Sequence, residues 1–387
     1  MSARDSSRGP GPVMCIVGAR PNFMKMAPIL RAFAVHEPAI PALLVHTGQH
    51  YDASMSDQLF ADLRLPRPDL NLEVGSGSHA VQTAEVMKRI EPAIDEHEPS
   101  CVLVVGDVNS TLACALVAVK KGVPVVHVEA GLRSGDRRMP EEINRVLTDQ
   151  ISDRLYTTER SALANLQREG VDEARVCFAG NVMIDSLHAA RAQARSAADT
   201  LRAHGHDPAL LQGGRGWGVV TMHRPSNVDD ADTLRLLLQT LREVAQRLPL
   251  VFALHPRTRA NIERFGLAGF VDAQRMLLLP PQGYLEMLGL MAGAAVVLTD
   301  SGGLQEETTA LGVPCLTLRE NTERPITVEQ GTNTMVGRDA QAILAGVADI
   351  LAGRGKQGRV PEYWDGRAAT RIAADLWRWL AERPVTA

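Results

Sequence analysis

The sequence predicts an α/β protein with two similar domains, each built on a doubly wound parallel sheet. Three observations support this prediction. The chain has 387 residues, and at roughly 100–200 residues per domain this length suggests two domains. Short β-branched apolar runs alternate with segments long enough for helices, which is the pattern of βαβ units. The pattern occurs twice, on the two sides of an Ala- and Arg-rich stretch at residues 181–216.

The predicted strands are short apolar runs whose length suits strands buried on both faces. In the first half of the chain they cover residues 13–17, 42–46, 101–105, 123–128, 154–158 and 175–178. In the second half they cover residues 217–222, 250–254, 276–279, 294–298 and 313–318. The clearest helical segments between them are residues 21–34, 80–96, 110–121, 232–248 and 304–311. Right-handed crossovers then place helices on both faces of each sheet.

The domain boundaries follow from the positions of these runs. Residues 1–12 contain no apolar core, so they are not predicted to be a secretory signal. They are polar and are predicted to be a disordered tail. The first domain is predicted to cover residues 13–180 and the second residues 181–366. Residues 367–387 have apolar side chains at helical spacing, which predicts a helix that packs back on the first domain. The carboxyl ends of both sheets are expected to face one cleft, the usual ligand position in such folds.

The charge balance excludes some classes of partner. Lys and Arg together number 41 and Asp and Glu 45, and the resulting net charge of -4 argues against a general nucleic-acid binder. A local basic pocket for one small anion is compatible with this balance. No stretch reaches the roughly 18 uninterrupted apolar residues of a membrane span. We therefore expect neither a nucleic-acid partner nor a membrane partner.

Cysteine usage favours a reducing compartment. The chain has five cysteines, an odd number, and no pair lies at metal-ligand spacing. They are Cys15, Cys101, Cys114, Cys177 and Cys315. Most lie in or beside apolar runs, which favours buried thiols in a cytoplasmic protein over a catalytic thiol. A partial match of His127, Glu129 and Cys315 to the zinc-deaminase signature fails, because position 318 is leucine instead of cysteine.

The first predicted strand is followed by cations at a helix start. Gly18 permits a tight turn and Pro21 suits the first turn of a helix. Arg20 and Lys25 then lie near the positive end of that helix, a position suited to phosphate. Neither GxGxxG nor GxxxxGK occurs here, so no standard dinucleotide site or P-loop is predicted. Two ordinary surface cations are the alternative interpretation.

Residues 300–307, DSGGLQEE, carry the sharpest local signal in the second half. They follow a predicted strand and open a helix that Ser301 could cap. Gly302 and Gly303 would let a diphosphate approach the backbone N–H groups, and Glu307 could accept ribose hydroxyls. A plain capped turn is the alternative, although it would not need two glycines.

Histidines and acids follow other predicted strands. His223 and Arg224 come after one strand and His255 after the next, where each is a candidate for catalysis or for a structural role. In the first half, Asp107 and Glu129 each follow a strand, and Glu141 lies at a helix start. Carboxylates that converge on one cleft suit general acid–base chemistry. Each of them could equally serve as a helix cap.

Seven segments resemble one known family, in that family's order. They are GARPNFMKMAPI (18–29), VVGDVNST (104–111), HVEAGLRS (127–134), PEEINR (140–145), TMHRPSN (221–227), DSGGLQEE (300–307) and NTERP (321–325). Together they are similar to the non-hydrolysing UDP-N-acetylglucosamine 2-epimerases. The resemblance spans most of both predicted domains.

The resemblance implies two Rossmann-like domains with a GT-B-like architecture, in a cytoplasmic homodimer. It also implies inversion of C2 in the hexosamine of UDP-GlcNAc, which gives UDP-ManNAc for polysaccharide biosynthesis. In this family UDP is eliminated to leave 2-acetamidoglucal, and UDP adds back after C2 is protonated on the other face. No cofactor is implied, neither a metal nor a nicotinamide.

The resemblance further implies roles for single residues. Asp107, Glu129 and Glu141 match the family's catalytic acids, with the base that removes the C2 proton left unassigned. His223 is predicted to take part in catalysis as well as in binding. The predicted substrate- and UDP-binding set is Arg20, Lys25, Arg145, His223, Arg224, His255, Gln282, Ser301, Gly302, Gly303, Glu307 and Arg324.

The chain departs from the family at one regulatory segment. Many bacterial members carry an AQHR-type sequence in their allosteric UDP-GlcNAc site, where this chain has Gln49, His50 and Tyr51. Gln49 and His50 match this sequence, but Tyr51 replaces its arginine, which disfavours activation by substrate and leaves the question open. Relatives that epimerise UDP-2,3-diacetamido-2,3-dideoxyglucuronate share the same motifs, so this substrate is an alternative. A GT-B glycosyltransferase, a hydrolysing epimerase and a non-catalytic UDP-sugar sensor are further alternatives.

Overall fold

Strands and helices alternate along the computed structural model, which describes residues 11–48, 60–271 and 274–383. The chain divides into two units. Unit 1 comprises residues 1–186 and 362–387, and unit 2 comprises residues 187–361. The predicted domain boundaries at 181 and 366 lie within a few residues of these limits. The cleft expected between the domains stays a prediction, and most of the predicted tail lies outside the described residues.

Unit 1 contains a seven-stranded parallel sheet in the order β3-β2-β1-β4-β5-β6-β7. Its strands are β1 (Val13–Val17), β2 (Ala42–His46), β3 (Leu70–Asn71), β4 (Cys101–Val105), β5 (Val125–Ala130), β6 (Arg154–Thr157) and β7 (Val176–Phe178). Its helices are α1 (Arg20–Val35), α2 (His79–His97), α3 (Asn109–Lys120), α4 (Pro140–Ile151) and α5 (Arg160–Arg168), and α6 (Val182–Arg191) leads into unit 2. The chain order reverses between β1 and β4, which makes the carboxyl ends of these strands the expected ligand position.

Unit 2 contains a six-stranded parallel sheet in the order β10-β9-β8-β11-β12-β13. Its strands are β8 (Gly218–Thr221), β9 (Leu250–Ala253), β10 (Met276–Leu279), β11 (Val296–Thr299), β12 (Cys315–Thr317) and β13 (Asn333–Met335). Its helices are α7 (Ala197–Ala203), α8 (Pro225–Val228), α9 (Ala231–Ala245), α10 (Pro256–Arg264), α11 (Tyr284–Ala292), α12 (Gly302–Leu311), α13 (Pro325–Glu329) and α14 (Ala340–Leu351). Here the order reverses between β8 and β11.

Alternation along the unit 2 strands explains why both faces of the sheet are covered. Val220 packs in a cluster with the leucines of α9, whereas Val219 packs in a second cluster with Leu290 of α11. Successive strand residues point to opposite faces, so a continuous apolar run needs a helix layer on each side. Helix α9, which carries these leucines, starts where Asp230 caps it by accepting the N–H of Thr233 at 2.8 Å.

The structure confirms the predicted class of two doubly wound Rossmann-like sheets and adds two edge strands that the sequence does not reveal. β3 and β13 have two and three residues, and their sequences, Leu-Asn and Asn-Thr-Met, lack an apolar run. Both lie at a sheet edge, where one neighbouring strand suffices to define them. The fifth strand is also displaced from its predicted range of 123–128 to Val125–Ala130. Glu129 therefore lies inside this strand instead of after it.

Helix α15 (Ala368–Glu382) belongs to unit 1, where it packs against α1. The ring of Trp377 lies 5.6 Å from the ring of His36, at the end of α1. Asp375 accepts hydrogen bonds from Arg154 and from the Tyr156 hydroxyl of β6, at 2.7–2.8 Å. None of the described helices is both long and apolar enough to span a membrane.

All five cysteines are free thiols. Cys177 is half-buried and the other four are buried. Burial raises the pKa of the Cys315 thiol to about 11 and that of Cys101 to about 12. The thiol form is therefore the stable one at neutral pH, which agrees with the structural role expected for these residues.

Candidate functional site

Hydrogen bonds of one asparagine, which the sequence analysis did not single out, connect the turn after β1 to the end of β4. Asn22 Oδ1 accepts the N–H groups of Gly18 at 3.2 Å and Ala19 at 3.1 Å. Its Nδ2 donates to the carbonyl of Val105 at 2.8 Å. This side chain therefore joins the two strands at the switch point of unit 1. Arg20 is the first residue of α1, and its side chain lies outside the described part of the structure.

Lys25 and Glu129 form a buried ion pair at this edge of the sheet. Lys25 Nζ contacts Glu129 Oε2, and both side chains are less than a tenth exposed. Glu129 has a φ of 74°, in the left-handed region, and the β5–β6 register shifts between Val128 and Ala130. Such a bulge re-aims a side chain, at an energetic cost that recurs at functional sites. The glutamate is thus held in a strained conformation beside the lysine.

Gly106 makes room for this pair. A Cβ placed on Gly106 would lie 2.7 Å from Lys25 Nζ and 3.7 Å from Glu129 Oε2. Gly106 also has a φ of 68°, which a side chain would strain further. A side chain at position 106 would therefore displace the Lys25 ammonium group, and the positive φ favours glycine independently of this contact.

Arg145 of α4 lies between two carboxylates. Its guanidinium donates to Asp107 Oδ2 at 2.5 Å and to Glu142 Oε2 at 2.7 Å. Glu142 in turn accepts the N–H groups of Ser134 at 3.0 Å and Gly135 at 2.9 Å, which fixes the loop before α4. The arrangement brings together Asp107, a predicted catalytic acid, and Arg145, a predicted binding residue.

The acidic pair at the start of α4 divides into two environments. Glu141 is half-buried, and its side chain makes no hydrogen bond or ion pair with any residue that the structure describes. Its neighbour Glu142 is buried and bonded to Arg145. Sequence reasoning missed Glu142, although its spacing of three residues from Arg145 on one helix face was a usable signal.

In unit 2, Asp300 is the centre of the β8–β11 switch point. It follows β11 and accepts the N–H groups of His223 and Arg224, both at 2.9 Å, and Asn227 Nδ2 at 3.0 Å. Its Oδ1 lies 2.9 Å from Nδ1 of His223. Burial alone would raise the pKa of Asp300, but the hydrogen bonds from His223 and Arg224 hold it below its usual range. The aspartate is thus a permanent anion that orients the imidazole.

Ser301 occupies the N-cap position of α12, but its side chain makes no capping hydrogen bond, so the expected cap is wrong. The Ser301 N–H instead donates to Thr299 Oγ1 at 3.0 Å, in a tight turn that sets the residue's direction. The first-turn N–H groups of α12 are therefore not satisfied by this serine. Glu307 lies on the same helix and is buried.

Gly302 lies close to a carboxylate of the following loop, which leaves little room for a side chain at this position. A Cβ placed on Gly302 would lie 2.9 Å from Glu323 Oε1. Glu323 is surrounded by guanidinium groups, with Arg319 at 2.9 Å and Arg224 at 3.5 Å. Burial would raise the pKa of Glu323, but Arg324, Arg319 and Arg224 together hold it below its usual range. Glu323 therefore places Arg224 beside the start of α12.

The remaining predicted binding residues of unit 2 have protein partners. Arg324 Nε contacts Glu306 Oε1 at 2.8 Å, and Gly303 lies in the first turn of α12. His255 caps α10 by accepting the Arg257 N–H at 3.2 Å, with its ring 5.5 Å from that of His223. Gln282 is buried and donates to the carbonyl of Pro280 at 2.7 Å. Its amide thus shapes the β10–α11 loop.

The structure assembles two groups of predicted residues, one at each switch point. Lys25, Asp107, Glu129 and Arg145 come together in unit 1, and His223, Arg224, Ser301 and Gly302 in unit 2. Gln49, His50 and Tyr51 lie outside the described residues. Within the described ranges, no group of three or more His, Cys, Asp and Glu side chains has an arrangement that could hold a metal ion.

Comparisons with known proteins show the family of the chain and support its fold. The sequence profile of the UDP-N-acetylglucosamine 2-epimerase family matches residues 34–376. The UDP-N-acetylglucosamine 2-epimerase of Methanocaldococcus jannaschii is 38% identical, covering 93% of this chain and 97% of its own length. The UDP-2,3-diacetamido-2,3-dideoxy-D-glucuronate 2-epimerase of Pseudomonas aeruginosa is 40% identical, covering 94% and 99%. The crystal structure of the M. jannaschii enzyme with UDP-GlcNAc and UDP superposes with a TM-score of 0.81, at 37% identity, covering 95% of this chain and 99% of that one.

Proposed function

The chain belongs to the UDP-N-acetylglucosamine 2-epimerase family and is an isomerase, and we propose that it interconverts UDP-GlcNAc and UDP-ManNAc. The reaction proceeds by anti or syn loss of the C2 proton and UDP. A base takes the proton from C2, the electron pair of the C2–H bond forms the C1–C2 double bond, and the C1–O bond breaks. UDP leaves with the electron pair of the C1–O bond, and 2-acetamidoglucal remains. Return of a proton to the other face of C2 and of UDP to C1 completes the inversion.

We assign the nucleotide to the switch point of unit 2. The N–H groups at the start of α12 and the Arg224 guanidinium suit the charge that develops on the departing diphosphate. Asp300 fixes Nδ1 of His223 as the protonated ring nitrogen, because an ionised carboxylate can only accept. Ser301 and Glu307 complete the proposed diphosphate and ribose contacts.

We assign proton transfer at C2 to the switch point of unit 1. Two faces of one carbon must be served, which calls for more than one acid or base. Asp107, Glu129 and Glu141 are the proposed acids. Arg145 forms an ion pair with Asp107, and Lys25 forms one with Glu129. The observation that carries the proposal is the buried Lys25–Glu129 pair, because a strained bulge that presents a desolvated carboxylate has no role in sheet packing.

Incubation of the purified protein with UDP-GlcNAc in deuterated water tests this function. We expect UDP-ManNAc to form with deuterium at C2, observed by NMR of the product, because the proton lost at C2 exchanges with solvent before its return. Release of free ManNAc would indicate the hydrolysing reaction instead, and transfer to an added acceptor would indicate a glycosyltransferase. Absence of both UDP-ManNAc and C2 label would contradict the proposal.

The diacetamido-uronate is a second candidate substrate, because a relative that covers almost the whole chain at 40% identity is named for it. The two substrates differ at C3 and C6 and share the reacting carbons. Parallel assays with UDP-GlcNAc and UDP-2,3-diacetamido-2,3-dideoxyglucuronate, compared by kcat/KM, separate them. A higher value for the uronate would assign this chain to that reaction.

A further inference from the structure

A buried histidine–aspartate pair lies behind Glu129 and has no place in the mechanism described so far. His127 of β5 and Asp149 of α4 are both fully buried. His127 Nδ1 lies 2.7 Å from Asp149 Oδ1, and its Nε2 lies 2.8 Å from the carbonyl oxygen of Gly106. Both ring nitrogens therefore face oxygen atoms.

The hydrogen bonds define the protons of this ring. A backbone carbonyl can only accept, so Nε2 carries a proton. Asp149 Oδ2 accepts the N–H of Gly131 at 3.0 Å and lies 2.7 Å from a guanidinium nitrogen of Arg133, and both contacts favour the ionised carboxylate. An ionised Asp149 can only accept from Nδ1. The ring is thus a doubly protonated imidazolium. Asp149 balances the positive charge of this ring, and Glu169 balances the positive charge of Arg133.

The partners of the pair flank two of the three proposed acids of unit 1, Asp107 and Glu129. Gly106 immediately precedes Asp107 at the end of β4. Gly131 lies two residues after Glu129, on the far side of the bulge, and Asp149 lies one turn beyond Arg145 on α4. One imidazolium–carboxylate unit therefore bonds to the backbone beside Asp107, to the backbone beside Glu129 and to the helix that supplies Arg145.

We propose that His127 and Asp149 are positioning residues, an imidazolium–carboxylate clamp that holds Asp107 and the strained Glu129 in register for proton transfer at C2. The clamp opposes relaxation of the left-handed Glu129 backbone, since Gly106 and Gly131 are anchored on its two sides. Its role rests on the proposed epimerase function. Its protonation state does not, because the hydrogen-bond partners alone define it.

The protonation state can be measured without any substrate. We expect long-range 1H–15N NMR of the wild-type protein to show one histidine with two protonated ring nitrogens, because each ring nitrogen of His127 faces an oxygen that can only accept. The signal is identified by its loss in His127→Gln among the 11 histidines. A single protonated nitrogen on His127 would overturn the clamp, since it would place the shared proton on Asp149.

Two variants each keep one of the two bonds. Gln at position 127 places an amide near Nε2 and keeps the bond to Gly106, whereas Asn places it near Nδ1 and keeps the bond to Asp149. We expect His127→Gln and His127→Asn each to lower kcat by about 10- to 100-fold, because displacements on the order of 1 Å cost this much. We expect KM and the affinity for UDP to change by less than about twofold, since the proposed nucleotide contacts lie in unit 2.

His97→Gln is the matched control. His97 is the last residue of α2 and precedes β4, whereas Gly106 follows the last residue of β4. The two residues therefore lie toward opposite ends of this strand, and kcat should be unchanged in His97→Gln. Unchanged kcat in both His127 variants, with folding verified by circular dichroism, would overturn the positioning role. An equal fall in kcat and in UDP affinity would indicate a general structural role and would overturn it as well. Failure of the epimerase proposal is distinguishable, because the wild-type protein would then turn over neither UDP-sugar while the NMR result stands.

Discussion

At the end of β5 in unit 1, Glu129 is held by a lysine side chain, whereas Asp300, after β11 in unit 2, is held mainly by backbone N–H groups. Both carboxylates are buried, and both lie at the switch point of a parallel sheet. The difference is in the partner. The His223 side chain and the two backbone N–H groups hold the pKa of Asp300 below its usual range, whereas Glu129 is paired with a single ammonium group on a long side chain. The comparison teaches that one type of sheet can hold a carboxylate as an anchor for a neighbouring loop, as at Asp300, or in the strained conformation of Glu129, for which we propose a role in catalysis.

The strongest test of this comparison removes the charge of Glu129. We expect Glu129→Gln to lower kcat by about 1,000-fold, within the range typical of general acid–base groups, with UDP affinity unchanged. Steady-state kinetics and calorimetric titration of UDP measure the two effects. Glu98→Gln is a matched control, because Glu98 also has a left-handed φ, of 41°, but is exposed at the end of α2. Comparable losses in both variants would contradict the assigned role.

Asp185 tests the electrostatics of unit 1 through stability. Burial raises its pKa from 3.8 to about 6, although it accepts the N–H groups of Ala368 and Ala369 at the start of α15. Because the folded state disfavours the ionised form, stability from this group is present at low pH and declines as pH rises from about 4 to about 6, by about 3 kcal/mol. The free energy of unfolding in urea, measured from pH 4 to 7, should show this decline in the wild type and lack it in Asp185→Asn.

Asp300 provides the opposite sign in unit 2. Its pKa is lowered in the folded state, so its contribution to stability is present above the unfolded pKa and is lost as pH falls through the folded value. The difference in unfolding free energy between the wild type and Asp300→Asn should therefore shrink toward low pH. The same trend for Asp185 and Asp300 would remove the contrast between the units.

A smaller effect is expected from the glycine beside Glu323. In Gly302→Ala the new methyl group would meet Glu323 Oε1 at 2.9 Å and displace a carboxylate that contacts Arg224. We expect UDP affinity to fall by about tenfold, the equivalent of one misplaced charge-assisted contact, while the unit 1 acids are unaffected. Gly213→Ala is the control, since a Cβ there meets open space. Equal affinity in the two variants would exclude this role for Gly302.

The smallest effect is expected at an exposed ion pair. Arg138 contacts Asp136 at 2.8 Å in the loop before α4, but its side chain is 90% exposed. Solvent screens such pairs. The melting temperature and kcat of Arg138→Ala should therefore equal those of the wild type within measurement scatter. A clear loss of activity would show that this loop contributes to the site.

Sequence patterns were sufficient for the central strands of both sheets, because these depend on local order along the chain, and the proposed site residues stay a prediction. Apolar runs gave the central strands, and residues at strand ends gave Asp107, His223 and Ser301. Most of the exceptions have a common physical cause. Asn22, Asp149 and Asp300 bond to partners on another element, and no local pattern encodes such bonds. Glu142 is different, because its spacing of three residues from Arg145 on one helix face was a signal that could have been used. The bulge at Glu129 likewise depends on the register of a neighbouring strand.

The return of α15 to unit 1 has a consequence for synthesis on the ribosome. Residues 187–361 form a contiguous unit, whereas unit 1 acquires α15 only after all of them have been made. Until then, the surface of α1 that receives α15 is uncovered, and Arg154 and Tyr156 lack Asp375. Nascent domains with exposed apolar surface depend on timing and on chaperones. Unit 2 can thus mature co-translationally, while unit 1, with its proposed acids, is completed last.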